Sequence, residues 1–383
     1  MALTNFAALT NEQLTAWSRD FWKVARNNSF INQFAGKGQN ALVQRVTDLT
    51  KTKKGTRAVI TLLADMTGDG VTGDNTLENN EERLRSDDIV IELDQLRFAN
   101  RSKGKLADQK SVVNFRANSR DKLAYAMADR CDQLAFLTLS GVSYAMKTNG
   151  ALRPTSPQAG LELSDLEFAS DVSAPTANRH KRWDATNGLV AGDTTAVVAA
   201  DTLSYQAIVE LKAYAKESFL RGIRGKGGQE VYHMFVTPTQ MSKLKLDSDF
   251  LANVRNAGVR GQSNSLFAGT TSVMVDGVYI HEYRHVFNTR GATTGTSSNA
   301  GAAGYKWGAD ANIDGARALF CGAQSLGMAD IGNPEIVEEY FDYKNQHGIS
   351  IGKILGFRKP KFISDIHGGA TEDFGVIALD TAL

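Results

Sequence analysis

Apolar and polar positions alternate through residues 88–98, DIVIELDQLRF. Ile89, Ile91 and Leu93 fall on one side and Val90, Glu92 and Asp94 on the other, a period of two that predicts a strand. Residues 57–65, RAVITLLAD, predict a second strand. Between them runs a polar, acidic stretch, MTGDGVTGDNTLENNEERLRS, residues 66–86. Two strands around a loop of ~20 residues make a long hairpin, and loops of that length in compact domains are functional or mobile. A lone two-stranded hairpin is marginal in water, so this one is expected to lie on another surface.

Elsewhere the period lengthens to that of a helix. Leu14, Trp17, Phe21 and Val24 predict an amphipathic helix over residues 11–26, with Asn11 as its cap. Residues 107–140 predict one long helix, with Leu123, Met127, Cys131, Leu134 and Thr138 as its stripe and Gly141 as its stop. At 1.5 Å per residue that helix would reach ~50 Å, which implies an elongated molecule. A further helix is predicted over 203–220. A basic glycine loop, RGIRGKGGQ at 221–229, joins it to a strand at 231–238, and another helix follows over 239–250.

Residues 149–200 lose periodicity and hold Pro154, Pro157 and Pro175, so they are read as loop and short irregular elements. Within them RHKRW, 179–183, is read as a solvated loop face. A flexible tract is expected at 291–304. It is followed by a helix–strand block at 316–330, a long strand pair or bent strand at 338–362, and a last strand at 375–383.

Composition narrows the function. The chain has 383 residues, 42% hydrophobic and 22% charged, with net charge +1. That balance argues against a dedicated nucleic-acid or membrane-surface binder. Two cysteines, Cys131 and Cys321, sit among apolar neighbours and read as reduced buried thiols, not as a disulfide framework. The first residues lack the basic start and apolar core of a signal peptide. No apolar run approaches the ~18 residues of a membrane span. The expectation is a soluble protein made in a cytoplasm, with no membrane partner.

Three motifs invite chemistry. His281, Glu282 and His285 match H-E-x-x-H, which binds zinc only on a helix, where residues four apart share a face. Here Asp276-Gly277 is a hairpin turn signal. A two-residue turn pairs Val275 with Val278 and Val273 with Ile280. Tyr279, His281, Tyr283 and His285 then share the opposite face, and Glu282 points away from both histidines. Four residues of strand span ~13 Å, too far for one zinc in the local manner. RGIRGKGGQ has the wrong spacing for a phosphate loop and lies between helix and strand, the reverse order. Asp69-Gly70 matches the middle of a calcium loop, but Thr67 and Thr76 replace ligands and strands flank it. No catalytic, metal or cofactor-binding residue is assigned.

GDGVTGDNTLENNEERL at 68–84 followed by DDIVIELDQLRF resembles the extended hairpin of the N-four-like podovirus major capsid family of tailed bacteriophages. The resemblance continues in order through the helix at 107–140, YHMFVTPTQMSKLKLDSDF at 232–250, GTTSVMVDGVYIHEYRHV at 269–286 and FDYKNQHGISIGKILGFRKPKF at 341–362. It covers most of the chain, least so 149–200 and 287–305. It implies an α+β Hong Kong 97-like fold: an N-terminal arm (1–56), an extended loop (57–106), a peripheral domain with the spine helix (107–200 and 331–383) and an axial domain (201–330). It implies a structural subunit, not an enzyme, that assembles with itself as pentamers and hexamers into an icosahedral shell around packaged DNA. Scaffold, portal and decoration proteins would be further partners, and the location would be the virion, assembled in the bacterial cytoplasm.

In such a shell the acidic tip, with Asp69, Asp74, Glu78, Glu81 and Glu82, needs basic surface on a neighbour. Arg83, Arg85, Arg221, Arg224 and Lys226 are the candidates. An encapsulin-type nanocompartment shell would share the fold and hold enzyme cargo. A zinc metallohydrolase using His281, Glu282 and His285 is the rival of another class, disfavoured by the strand geometry.

Overall fold

The computed structural model describes residues 29–46, 55, 57–63, 69–82, 86–110, 115–158, 160–225, 227–257, 272–332, 334–364 and 366–383. The helix expected over 11–26 lies outside them. The described residues begin with a 3-10 turn, Ile31–Phe34, then β1 (Ala35–Gly36) and β2 (Val43–Val46). The long hairpin follows as β3 (Arg57–Leu63) and β4 (Ser86–Glu92), paired antiparallel from Arg57↔Glu92 to Leu63↔Ser86. The expected strand over 88–98 breaks at Leu93, and β5 (Asp94–Arg101) leaves to join a different sheet.

The single helix expected over 107–140 is a short α1 (Lys105–Gln109) and a 26-residue α2 (Phe115–Ser140), with 111–114 outside the described residues. Gly141 ends α2 at φ +66°, and a Cβ there would lie 2.4 Å from the Ser173 carbonyl oxygen. Only glycine meets both demands. Residues 149–200 hold 3-10 turns as expected, but also β6 (His180–Asp184) and β7 (Gly188–Ala191). RHKRW is therefore a correction: Arg179 ends a 3-10 turn fully buried and His180 to Trp183 are strand, not solvated loop, because β6 pairs parallel with β18 (Val376–Ala382).

Beyond it come α3 (Tyr205–Glu217), β8 (Ile223–Arg224) and β9 (Glu230–Val236). The helix expected at 239–250 is two helices, α4 (Pro238–Leu246) and α5 (Ser248–Ala257). Thr237 caps α4 in a reciprocal capping box with Gln240, and Pro238 occupies the first turn, where its missing N–H costs nothing. The hairpin β10 (Ser272–Val275) and β11 (Val278–Glu282) follows. The remaining strands are β12 (Gly315–Cys321), β13 (Leu326–Asp330), β14 (Glu335–Phe341), β15 (Gln346–Arg358), β16 (Lys361–Ser364), β17 (Ala370–Asp373) and β18 (Val376–Ala382). The block at 316–330 is two strands, not helix then strand.

Two sheets organise these elements. A six-stranded sheet runs β1-β2-β13-β15-β14, with β5 on the other side of β15. An eight-stranded sheet runs β10-β11-β9-β12-β18-β6-β7, with β8 beside β9. The segment boundaries expected at 200 and 330 differ from this membership. Strands β6, β7 and β18 share the sheet of β9 to β12, whereas β13 belongs with β14 and β15.

The eight-stranded sheet is buried on both faces, and the period of two sends alternate residues to two cores. Tyr232, Met234, Phe320 and Ile377 pack with Ile208, Leu211, Met241 and Leu244 of α3 and α4. Phe235, Leu319 and Cys321 pack with Met127, Leu134 and Phe136 of α2. The same core takes in Leu96, Ile349 and Ile351 of the six-stranded sheet, so α2 binds the two sheets together. A third, small core seats the hairpin. Ala58, Ile60, Leu62, Ile89 and Ile91 cover Ala329 of β13.

Candidate functional site

The hairpin leaves its seat and projects a polar tip. Its base is close-fitted: a Cβ on Gly356 would lie 2.2 Å from the Glu92 carbonyl oxygen, and one on Gly327 would lie 2.7 Å from Ile60 Cδ1. The sheet thus offers bare backbone where the hairpin's isoleucines sit. Along β3 the alternation is strict, with Ala58, Ile60 and Leu62 buried and Val59 half exposed. At the tip Asp69, Asp74, Glu78, Glu81 and Glu82 are all exposed, and Asn75 and Asn80 close turns onto the carbonyls of Thr72 and Thr76. Both of these asparagine bonds are local, within four residues.

The basic candidates are less uniform. Arg83, Arg85 and Lys226 lie outside the described residues. Arg221 is half-buried, and its carbonyl accepts the Ala323 N–H at 2.9 Å. Arg224 has an exposed side chain, while its backbone is clamped by both amide atoms of Asn40, at 2.7 and 2.9 Å. Among the described residues no hydrogen bond or ion pair joins the Arg224 side chain to the tip.

HEYRH straddles the end of a strand. Asp276 and Gly277 turn at φ +47° and +76°, and the register is the expected one, Val275↔Val278 and Val273↔Ile280. Strand β11 ends at Glu282, so the stripe expected at Tyr279, His281, Tyr283 and His285 divides. Tyr279 and His281 both stack on His233 of β9, and His281 Nε2 stands 2.8 Å from His233 Nδ1. Burial, and then the charge of His233, holds His281 down to about 4. Tyr283 stacks on Phe30 at 4.2 Å, and His285 Nε2 turns to Asp129 of α2 at 2.7 Å. The imidazoles of the motif serve two separate contacts. His281, Tyr283 and His285 are covered by residues 30–34 and α2, while Tyr279 stays exposed.

Side chains that no motif marked hold these elements together. Asp132, buried in α2, accepts from Ser29 Oγ at 2.7 Å, the N–H groups of Phe30 and Ile31 at 2.8 and 3.2 Å, and Tyr283 Oη at 2.5 Å. Asp380 of β18 receives Arg317 Nε and Nη2 at 2.7 and 2.9 Å and His180 Nε2 at 2.6 Å. Burial pushes the Asp380 carboxyl up, but Arg317 and His180 outweigh it and hold it below its ordinary value. Asp330 pairs with Arg45 and with Lys353 Nζ at 2.9 Å. Polar residues inside otherwise apolar stretches of helix and strand were the signal for these contacts, and their partners lie too far along the chain for that signal to name them.

Comparison with known proteins gives the family. The family model described as phage capsid protein matches residues 5–383. This chain belongs to the phage capsid protein family. The capsid chain is 58% identical over 376 residues to a protein named major capsid protein from Pseudomonas phage KPP25, covering 98% of this chain and 96% of that one. Its fold matches the capsid of Ralstonia phage GP4 with a TM-score of 0.71 at 23% identity, over 92% of this chain and 90% of the other. It matches the cyanophage Pam1 capsid with a TM-score of 0.69 at 17% identity, over 100% and 96%. The capsid chain therefore has the Hong Kong 97-like α+β fold.

Proposed function

We propose that this chain is a major capsid protein, a structural subunit without catalytic chemistry whose copies close into the icosahedral head shell of a tailed phage. The observation that carries the reading is the 58% identity across 98% of the chain to a protein bearing that name. The physical form suits the role. An acidic tip stands clear of its own domain on a seated hairpin, and such a projection is stabilising only when something else covers it. Shells need many modest contacts, because closure multiplies them.

In this reading residues 1–56 are the arm and 57–106 the extended loop. The peripheral part is α2 with β13, β14 and β15 of the six-stranded sheet, which β1, β2 and β5 join from the arm and the loop, and the axial part is the eight-stranded sheet with α3 to α5. Shared sheet membership supports moving β6, β7 and β18 to the axial part. Copies associate as pentamers and hexamers, with scaffold, portal and decoration proteins as partners. Packaged DNA meets the inner face without sequence preference, and a net charge of +1 suits a wall that must release it. Assembly takes place in the host cytoplasm. Among the described residues no helix is long and apolar enough to cross a membrane.

Expression of the full chain followed by electron microscopy and metal analysis tests this. Closed icosahedral particles are expected. Particles filled with enzyme cargo would favour a nanocompartment. Small oligomers carrying stoichiometric zinc, lost on His281→Ala, would overturn the shell reading.

A further inference from the structure

Among the described residues two lysines are buried, each against an aspartate. Lys353 Nζ stands 2.9 Å from Asp330 Oδ1, and Lys359 Nζ stands 2.9 Å from Asp373 Oδ2. The two pairs differ in what else meets the carboxyl. Arg45 takes the other oxygen of Asp330, and a guanidinium keeps a carboxylate ionised. Asp373 Oδ2 accepts the Thr176 N–H at 3.1 Å as well as Lys359 Nζ, and its Oδ1 has no hydrogen-bond partner among the described residues. The nearby Arg179 is taken by Glu372, at 3.2 Å. Water has little access, since the side chains of Lys359 and Asp373 are 1% and 0% exposed.

Dry surroundings disfavour both charges of such a pair. Burial holds the Lys359 ammonium below its ordinary value against the pull of Asp373, and Lys361 and Arg317 push the same way as burial. One proton passed along the 2.9 Å contact turns ammonium and carboxylate into amine and carboxylic acid. A desolvated amine is a nucleophile, and the carboxyl carbon beside it is its target. The Thr176 N–H donates where negative charge would gather on Oδ2 during attack. The backbone holds the two groups in place. Lys361 pairs with Asp373 across β16 and β17, the Phe374 N–H donates to the Pro360 carbonyl at 2.9 Å, and the Asp373 N–H donates to Thr176 Oγ1 at 3.1 Å. Such fixed placement removes much of the entropy that opposes a bimolecular step. Strands β16 and β17 also form a sheet of their own, and a two-stranded hairpin alone is marginal.

We propose that Lys359 and Asp373 condense into an amide inside one chain, which ties β16 to β17 covalently. Lys359 Nζ bonds to Asp373 Cγ, and the Cγ–Oδ1 bond breaks. Two of the three ammonium protons leave with Oδ1 as water, and the third stays on the amide nitrogen. Oδ2 remains as the carbonyl oxygen facing the Thr176 N–H. Nothing is oxidised or reduced, and no co-reactant enters. The inference goes beyond the shell reading and does not depend on it.

Mass spectrometry of the full chain, purified folded and digested after denaturation, tests it. Trypsin cuts after Arg358 and Lys361 and spares the Lys359–Pro360 bond, so an unlinked chain yields 359–361 and 362–383 as separate peptides. The wild-type digest should instead hold one branched peptide, lighter by one water than those two together, with fragmentation placing the link at Lys359 and Asp373. Lys359→Arg keeps a cation and forms no such amide, so its peptides should be linear. Asp373→Asn should give the branched peptide again, with ammonia leaving in place of water, which an ion pair alone would not do. Linear 359–361 and 362–383 at full mass from folded wild-type protein would overturn the proposal. So would a water lost within a linear 362–383 peptide, which marks a cyclised aspartate, or a branched peptide that persists in Lys359→Arg.

Discussion

The phenol of Tyr283 donates to Asp132 Oδ2 at 2.5 Å, joining positions 151 residues apart. Asp132 also holds the start of the described chain through Ser29, Phe30 and Ile31. Replacing it with alanine leaves four donors without their acceptor. Asp132→Ala should cost about 3 kcal/mol in chemical denaturation, and Tyr283→Phe about 1 kcal/mol. Equal, small losses from both would show that the carboxylate is not the hub.

The His233–His281 contact predicts acid sensitivity. One ring must donate to the lone pair of the other, so the pair cannot hold with both rings charged. His281 is held to about 4 in the fold against 6.5 in an ordinary setting, and burial lowers His233 as well. Between those values the unfolded chain binds more protons. Stability is therefore complete above pH 6.5 and declines as pH falls toward 4. Urea midpoints taken across that range should show the slope, and His281→Phe should flatten it.

Gly356 marks where the hairpin rests. The atom blocking a side chain there is the Glu92 carbonyl oxygen, at 2.2 Å, which cannot swing aside as a side-chain end could. Gly356→Ala should destabilise by about 1–3 kcal/mol. Limited proteolysis should then cut within residues 57–92 faster than in the wild type, while sites in α2 keep their protection.

The buried Arg317–Asp380 pair ties β12 to β18, and Arg317 Nη1 also caps the end of α2 at the Ser140 carbonyl. Asp380→Ala strands a buried guanidinium and should cost about 3–5 kcal/mol. Arg317→Met combined with Asp380→Leu should recover most of that loss. A double variant as unstable as the single one would assign the pair a packing role.

Deleting residues 68–82 should leave a folded monomer by circular dichroism and thermal melting, because the core that seats the hairpin, Ala58, Ile60, Leu62, Ile89 and Ile91 on Ala329, is untouched. Shells should be lost in sedimentation. Normal shells from the deletion would remove the tip from assembly.

Local chemistry was readable and distant pairing was not. Asp276-Gly277 fixes its own register, because a two-residue turn leaves no other choice. The stripe through Leu123, Met127, Cys131 and Leu134 likewise announces α2. RHKRW looked solvated because its partner strand lies 200 positions on, where His180 meets Asp380. ARALFC looked helical because both faces of β12 are buried, and a strand apolar throughout has no period to read. The acidic tip was visible as a charged run.

Strand β18 lies between β12 and β6, with every residue from Val376 to Ala382 buried. During synthesis β6 therefore waits for a neighbour encoded nearly 200 codons later, about 10–40 s at ribosomal rates. The eight-stranded sheet cannot close until residue 382 has left the ribosome. Until then β12 and β6 each lack the strand that lies between them, and the two halves of the sheet stay apart.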